Sequence, residues 1–233
     1  MIRHLLQLIW NQRKQNAWLW AELLLVSVFL WFLVDYLYVM GRTYTAPLGF
    51  DIRHTYSIVI SSLSERSPDY IPKEKRERPD GVHLLTALDR IRTYPGVESA
   101  CLTDGGMPYY MGSRNLVWRI DTLQVPCRYA FVTPEFFDVF RIYDKEGETA
   151  SLKRAIEDNN SIVISADVET MNPGLSLLGQ KAYRGNVTDE IEETIRGISV
   201  PIRRHEYTKA EPNVYRALRL SRMEDCLLYT SDA

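Results

Sequence analysis

Cysteine is scarce in this sequence. Only Cys101, Cys127 and Cys226 occur in 233 residues, with no CxxC pair among them. That count excludes a disulfide-stapled mini-scaffold and a thiolate zinc finger. A charge excess of either sign is also missing, since 28 basic residues face 30 acidic ones and the sequence pI is about 6.1. Such a chain has no global basic field with which to release counterions from phosphates, so nucleic acid is not an expected partner. Twelve glycines and eleven prolines fall without a period, and 45% of the residues are hydrophobic. Collagen-like repeats and disorder are thereby excluded. Long apolar runs are rare as well, and the one that is present dominates the reading.

Residues 17–40 read AWLWAELLLVSVFLWFLVDYLYVM, in which only Glu22, Ser27 and Asp35 are neither apolar nor aromatic. As a helix, this stretch would be about 36 Å long, enough for a hydrocarbon core of about 30 Å. Its 13 Leu, Val and Phe residues favour insertion by roughly 4–8 kcal/mol. Glu22 and Asp35 oppose it, but each lies toward one end, where a charge costs less than at the midplane. A transmembrane helix over residues 17–40 is the expectation. Within it, Glu22 and Asp35 are candidates for polar contacts with neighbouring protein; proximity to the two interfaces is the plainer alternative.

A cleaved signal peptide is the rival reading, with Arg3, Arg13 and Lys14 as its basic region. The run is longer than a usual signal core, contains two acids, and has no small-x-small cleavage site before Gly41. A retained anchor is therefore expected. Residues 1–16 carry three basic side chains and no acid, which places the N-terminus in the cytoplasm and the bulk of the chain outside. In this leader Ile2, Leu5, Leu6, Ile9 and Trp10 share one helical face. Either the leader lies along the inner interface or it is an ordinary basic flank.

After the anchor the hydrophobic period switches between two and 3.6, which predicts an α+β extracytoplasmic domain over residues 41–225, as one body or as two lobes sharing a sheet. Alternation at Tyr56, Ile58 and Ile60 predicts a first strand, and the proline-rich, charged run 64–79 a surface loop. A helix from an Asp80 cap should bury Leu84, Leu85, Leu88 and Ile91 and stop at Pro95-Gly96. Strands are expected over 97–103, 116–121, 125–132, 162–165 and 194–200. Pro134-Glu135 suits the first turn of a short helix carrying Phe136, Phe137, Val139 and Phe140. A further helix is expected over 151–158.

Catalytic and metal motifs are missing. His4, His54, His83 and His205 are dispersed, and His205-Glu206 fails as HExxH because Lys209 occupies the last position. No G-x-S-x-G, Walker A or G-x-G-x-x-G occurs, and the Glu192-Glu193 pair reads as a solvated face. The chain is not expected to be an enzyme or to hold a cofactor or metal. Cys101 and Cys127, each on an expected strand, are candidates for a disulfide or for burial as free thiols. Asn159-Asn160-Ser161 and Asn186-Val187-Thr188 match a glycosylation sequon, which matters only in a eukaryotic secretory pathway.

The order of several segments resembles the N-terminal part of MacB/FtsX-type ABC transporter permeases, particularly those of Bacteroidetes. A basic leader and one anchor precede an amphipathic helix that runs into YPGVES (Tyr94 to Ser99). VTPEFFDVFRI (Val132 to Ile142), NSIVIS (Asn160 to Ser165), Leu178-Gly179 and TIRGISVPIRR with Pro212 and Tyr215 follow in the family's order. The resemblance covers most of residues 1–220. It implies a MacB-like periplasmic core domain, a cytoplasmic ABC ATPase as partner, a second permease copy, and location in the bacterial inner membrane. It also implies further membrane helices, and no run after Met40 is apolar enough to supply one. The chain is thus expected to be a fragment, and residues 226–233, CLLYTSDA, resemble a non-native tail.

Overall fold

The computed structural model describes residues 3, 7, 10, 14, 17–58, 63–72, 75, 80–109, 112, 114–184 and 191–219. The expectations that rest on Ile2, Leu5, Leu6, Ile9, Ile60, Asn186 to Thr188, Cys226 and the tail lie outside these residues. The chain divides into two compact units, Met1–Ala46 and Pro47–Ala233.

In the first unit, α1 spans Ala17–Thr45 and buries none of its residues. It is long and apolar enough to cross a membrane. The helix outruns its expected end because Gly41 does not break it. An interior glycine costs only about 1 kcal/mol, and the Thr45 hydroxyl donates to the Gly41 carbonyl at 3.0 Å. Trp18, Leu24, Leu25, Trp31 and Phe32 all stand exposed along it. An uncovered apolar cylinder of this length calls for lipid or protein around it.

In the second unit, α2 (Asp80–Arg92) precedes β1 (Thr103–Asp104), β2 (Asn115–Ile120) and β3 (Leu123–Val132). Next come α3 (Phe136–Val139), α4 (Ala150–Glu157), β4 (Ser161–Ser165) and α5 (Asp167–Met171). β5 (Lys181–Arg184), β6 (Ile191–Ser199) and β7 (Asn213–Ala217) complete the described elements. Two sequence-based strands are not found as expected. Tyr56 and Ile58 sit in irregular, exposed backbone, and the strand expected over 97–103 is reduced to Thr103–Asp104. In α2 only Leu88 of the expected stripe is fully buried; Leu84, Leu85 and Ile91 are half-covered.

The strands close on themselves. β3 is bonded antiparallel to β2 from Arg128 to Leu123 and parallel to β7 from Arg128 to Val132. β7 continues to β4, β4 to β6, β6 to β5, and β5 back to β2. Six strands therefore form a closed ring, with β1 laid beside the end of β3. Closure leaves these six strands without free edges and gives every one an inner and an outer face. Trp118, Ile120, Val125, Cys127, Ile162, Ile164, Ala182, Ile195 and Val214 form the inner cluster, joined by Val168 and Leu177.

The outer faces of Ala130, Val132, Val163 and Tyr215 meet Phe136, Phe137 and Phe140 and the Leu152, Ala155 and Ile156 face of α4. Rings of Phe136 and Phe140 lie 4.8 Å apart, and those of Phe137 and Tyr215 5.6 Å apart, edge-on. Gly197 on β6 permits α4 to approach: a Cβ there would lie 2.8 Å from Val163 Cγ2 and 3.2 Å from Ala155 Cβ.

The segment just before this core is docked on it. Arg203 N–H donates to the Leu48 carbonyl at 3.0 Å, and Asp51 N–H donates to the Phe140 carbonyl at 2.9 Å. Between them Gly49 has φ +83°, and a Cβ added there would lie 2.1 Å from the Pro201 carbonyl oxygen. Neither the conformation nor the space admits a side chain. Gly49→Ala is expected to cost about 3 kcal/mol and to lower the melting temperature by about 10 °C. Thermal unfolding of the detergent-solubilised chain measures this, and a shift under 2 °C would mean that Leu48–Phe50 detaches at little cost.

Candidate functional site

Alternation inside the ring sends charged side chains to the same face as its apolar ones. On β6 the inner residue before Ile195 is Glu193, on β5 the one after Ala182 is Arg184, and on β7 the one after Val214 is Arg216. Their backbones are in register, with Ala182 opposite Glu193, and Phe131 opposite Arg216. These side chains gather at one end of the barrel. There they line a pocket of about 230 Å³ with Phe131, Asn159, Asn160, Ile191, Ala217 and Arg219.

Glu193 is 3% exposed and holds the group together. Arg216 donates to its Oε1 through Nε at 2.8 Å and also through its terminal nitrogen. Phe131 supports Arg216 from the side, its ring centre 5.1 Å from the guanidinium carbon, a contact in which ring quadrupole and cation attract. Arg184 approaches Oε2 at 3.4 Å as an ion pair. Neither Arg184 Nε nor Glu193 Oε2 has a hydrogen-bond partner among the described residues, and both are buried. Arg219 closes the rim and donates to the Asn159 carbonyl at 2.7 Å. Two guanidinium groups thus meet the Glu193 carboxylate, and Arg219 makes three among the described lining residues.

This arrangement corrects the reading of Glu192-Glu193 as a solvated pair. Glu192 does face solvent, paired with Lys181 at 2.7 Å, whereas Glu193 points inward. The signal was present in IEETIRGIS, where Glu193 has the parity of Ile195.

Glu22 and Asp35 are both exposed on α1. Among the described residues no cluster of three His, Cys, Asp or Glu could hold a metal ion. His205 serves its own turn, accepting from the Tyr207 N–H through Nδ1 at 3.2 Å.

Cys101 and Cys127 are free thiols. The bridge between them fails for a geometric reason: Cys127 belongs to the inner cluster, whereas Cys101 packs against the outer one around Phe136. Burial pushes each thiol up to about 12. At pH 8 the reactive thiolate is then scarcer than in an ordinary cysteine by about a thousandfold. In a Cys226→Ser background, maleimide labelling of the native chain is expected to be slower than that of the urea-unfolded chain by at least that order. Rapid native labelling of Cys127 would show that the barrel opens.

No protein family matches the chain, and no curated protein matches it. Solved structures do. The likeness is to domains of permeases and ABC transporters. A domain of a protein described as a permease from Porphyromonas gingivalis is 20% identical, with a TM-score of 0.41, over 57% of this chain and 50% of that one. The periplasmic region of MacB from Actinobacillus actinomycetemcomitans is 10% identical, with a TM-score of 0.40, over 57% and 54%. The extracellular domain of YknZ, a noncanonic ABC-type transporter from Gram-positive bacteria, is 12% identical, with a TM-score of 0.41, over 59% and 64%. The matched part therefore spans between half and two thirds of each of those chains.

Proposed function

We propose that this chain is the N-terminal part of a MacB/FtsX-type ABC transporter permease, in which α1 crosses the bacterial inner membrane with its N-terminus in the cytoplasm and the barrel domain stands outside. One observation carries the reading: the family-like segments keep their order behind an uncovered apolar helix, and they fall at positions that build the domain. VTPEFFDVFRI supplies the end of β3 and the Phe136-Phe137 pair, both 0% exposed. SIVIS is β4, buried along its whole length. TIRGIS lies within β6, and Tyr215 of β7 caps the aromatic cluster.

In this reading the chain performs no catalysis. A separate cytoplasmic ATPase hydrolyses ATP and moves the membrane helices, and α1 passes that displacement to the barrel domain for export or mechanical work at the envelope. A second permease copy completes the assembly. Glu22 and Asp35 then face helices of the assembled transporter or reach the two interfaces.

The barrel-end pocket favours a second reading, a single-pass membrane-anchored sensing or binding module with no ATPase partner. The uninterrupted reading frame in source DNA separates the two. Three further apolar spans of about 20 residues beside an ATPase gene are expected. A stop codon near residue 225 would overturn the permease and leave the tethered module.

A further inference from the structure

The geometry points to the barrel-end pocket as a binding site for a small molecule that carries one carboxylate on an apolar body, the carboxylate held by Arg184 and Arg219. Three features of the pocket lead there. Among the described residues its charge is unbalanced, since Glu193 is the acid lining it against Arg184, Arg216 and Arg219. Glu193 already spends Oε1 on Arg216, so Arg216 is fixed and serves as the floor. Arg184 is the under-used group. Its side chain is only 15% exposed, its Nε makes no hydrogen bond among the described residues, and its ion pair with Glu193 spans 3.4 Å.

A buried guanidinium donor left without an acceptor costs about 1–3 kcal/mol, and a carboxylate supplies the matching planar pair of acceptors. Arg219, exposed at the rim and tethered to the Asn159 carbonyl, offers its remaining donors to the same anion. The rest of the lining selects the body of the ligand. Ile191 and Ala217 form an aliphatic wall beside these charges, and a bare, fully hydrated anion would gain nothing from it. Size sets the class: about 230 Å³ lies below the range of about 300–1,000 Å³ typical for drug-sized ligands. A ring or short chain with one acid group fits; a peptide segment does not. This inference does not depend on the permease reading, because a pocket in the barrel serves a transporter and a tethered module alike.

Calorimetric titration of the detergent-solubilised full chain with benzoate, acetate and inorganic phosphate tests it, with empty micelles as the blank. Benzoate is expected to bind, acetate to bind more weakly, and phosphate not to bind. Arg219→Gln, an exposed change that leaves the barrel intact, should weaken benzoate about tenfold. Arg184→Gln should do the same or more. Because that variant leaves Glu193 less balanced and could unfold, circular dichroism accompanies it, and Arg219→Gln carries the decision alone if it does. No benzoate binding, an affinity unchanged in Arg219→Gln, or binding of phosphate without benzoate would each overturn the assignment.

Discussion

Glu193→Leu is expected to destabilise the barrel domain by about 3–5 kcal/mol. Arg216 and Arg184 would keep their charges at sites where their side chains are only 9% and 15% exposed. With the carboxylate gone, each guanidinium would have to find water through the mouth of the barrel or leave its place on the strand. Arg216 is the worse off of the two. It sits two residues beyond Val214, at the next inner position, with Phe131 against its face, and moving it opens the β3–β7 pairing that closes the ring. For a domain of this size the melting temperature of the detergent-solubilised chain should fall by about 10–15 °C.

The converse experiment separates cost from benefit. Replacing the three together, as Glu193→Leu, Arg184→Met and Arg216→Met, removes every buried charge of the group and should restore most of the lost stability. Full restoration would identify the ion group as a feature kept for binding rather than for folding. A Glu193→Leu variant that melts within 2 °C of the parent would show that the mouth is wet enough to solvate both arginines.

The reasons why some of this was legible in sequence, and some not, lie in range and in parity. Trp118 and Ile120 alternate with the exposed Val117 and Arg119, and the two expected strands turn out to be separated only by Asp121 and Thr122. SIVIS reads as a buried strand because it is buried on both faces, inward by Ile162 and Ile164 and outward by Val163 beneath α4. The short helix after Pro134 follows from its fixed φ and the apolar pair behind it. Tyr56 and Ile58 show that alternation is not sufficient. They have the right period but no partner strand, and they stay exposed.

Closure of the barrel could not be read at all. It depends on β3 accepting β7 in parallel, Arg128 beside Asn213, across nearly half of the domain's length, and a local period says nothing about such a pairing. The pocket was hidden for the same reason. Its parts come from β3, β5, β6, β7 and the flanking turn, and only the ring makes neighbours of Arg184, Glu193 and Arg216. Charged residues at inner positions were the trace left in the sequence, and a charge in an apolar alternation is easily taken for the solvent face.

The remaining large effect concerns the joint between anchor and domain, and it rests on the proposed transport role. α1 is helical without interruption to Thr45, so its last turn, through Gly41 and Arg42, is as stiff as the rest. From Leu48 onward the backbone is fastened to the barrel domain by the Leu48–Arg203 and Asp51–Phe140 hydrogen bonds. Side chains reinforce this: Phe50 meets Tyr109 edge-on at 5.8 Å, and Arg141 pairs with Asp51 at 2.8 Å. Arg53, with help from Arg141, holds the Asp51 carboxyl well below the usual carboxylate range, so Asp51 stays ionised throughout the physiological range. Ala46 and Pro47 connect the two units, and proline is itself restricted in φ. On the proposed reading, a displacement delivered by a cytoplasmic ATPase reaches the domain through these two residues, and mechanical coupling requires them to be stiff. Ten Gly/Ser residues inserted after Ala46 would behave as a random coil with an end-to-end distance of about 17 Å, more than any small rocking of a helix could take up. In the complete transporter this variant is expected to insert, to assemble with the ATPase and to hydrolyse ATP, while substrate transport falls to background. A tethered binding module predicts the opposite, because its ligand affinity does not depend on how stiffly it is held. Full transport with the insert in place would rule out mechanical coupling through this joint.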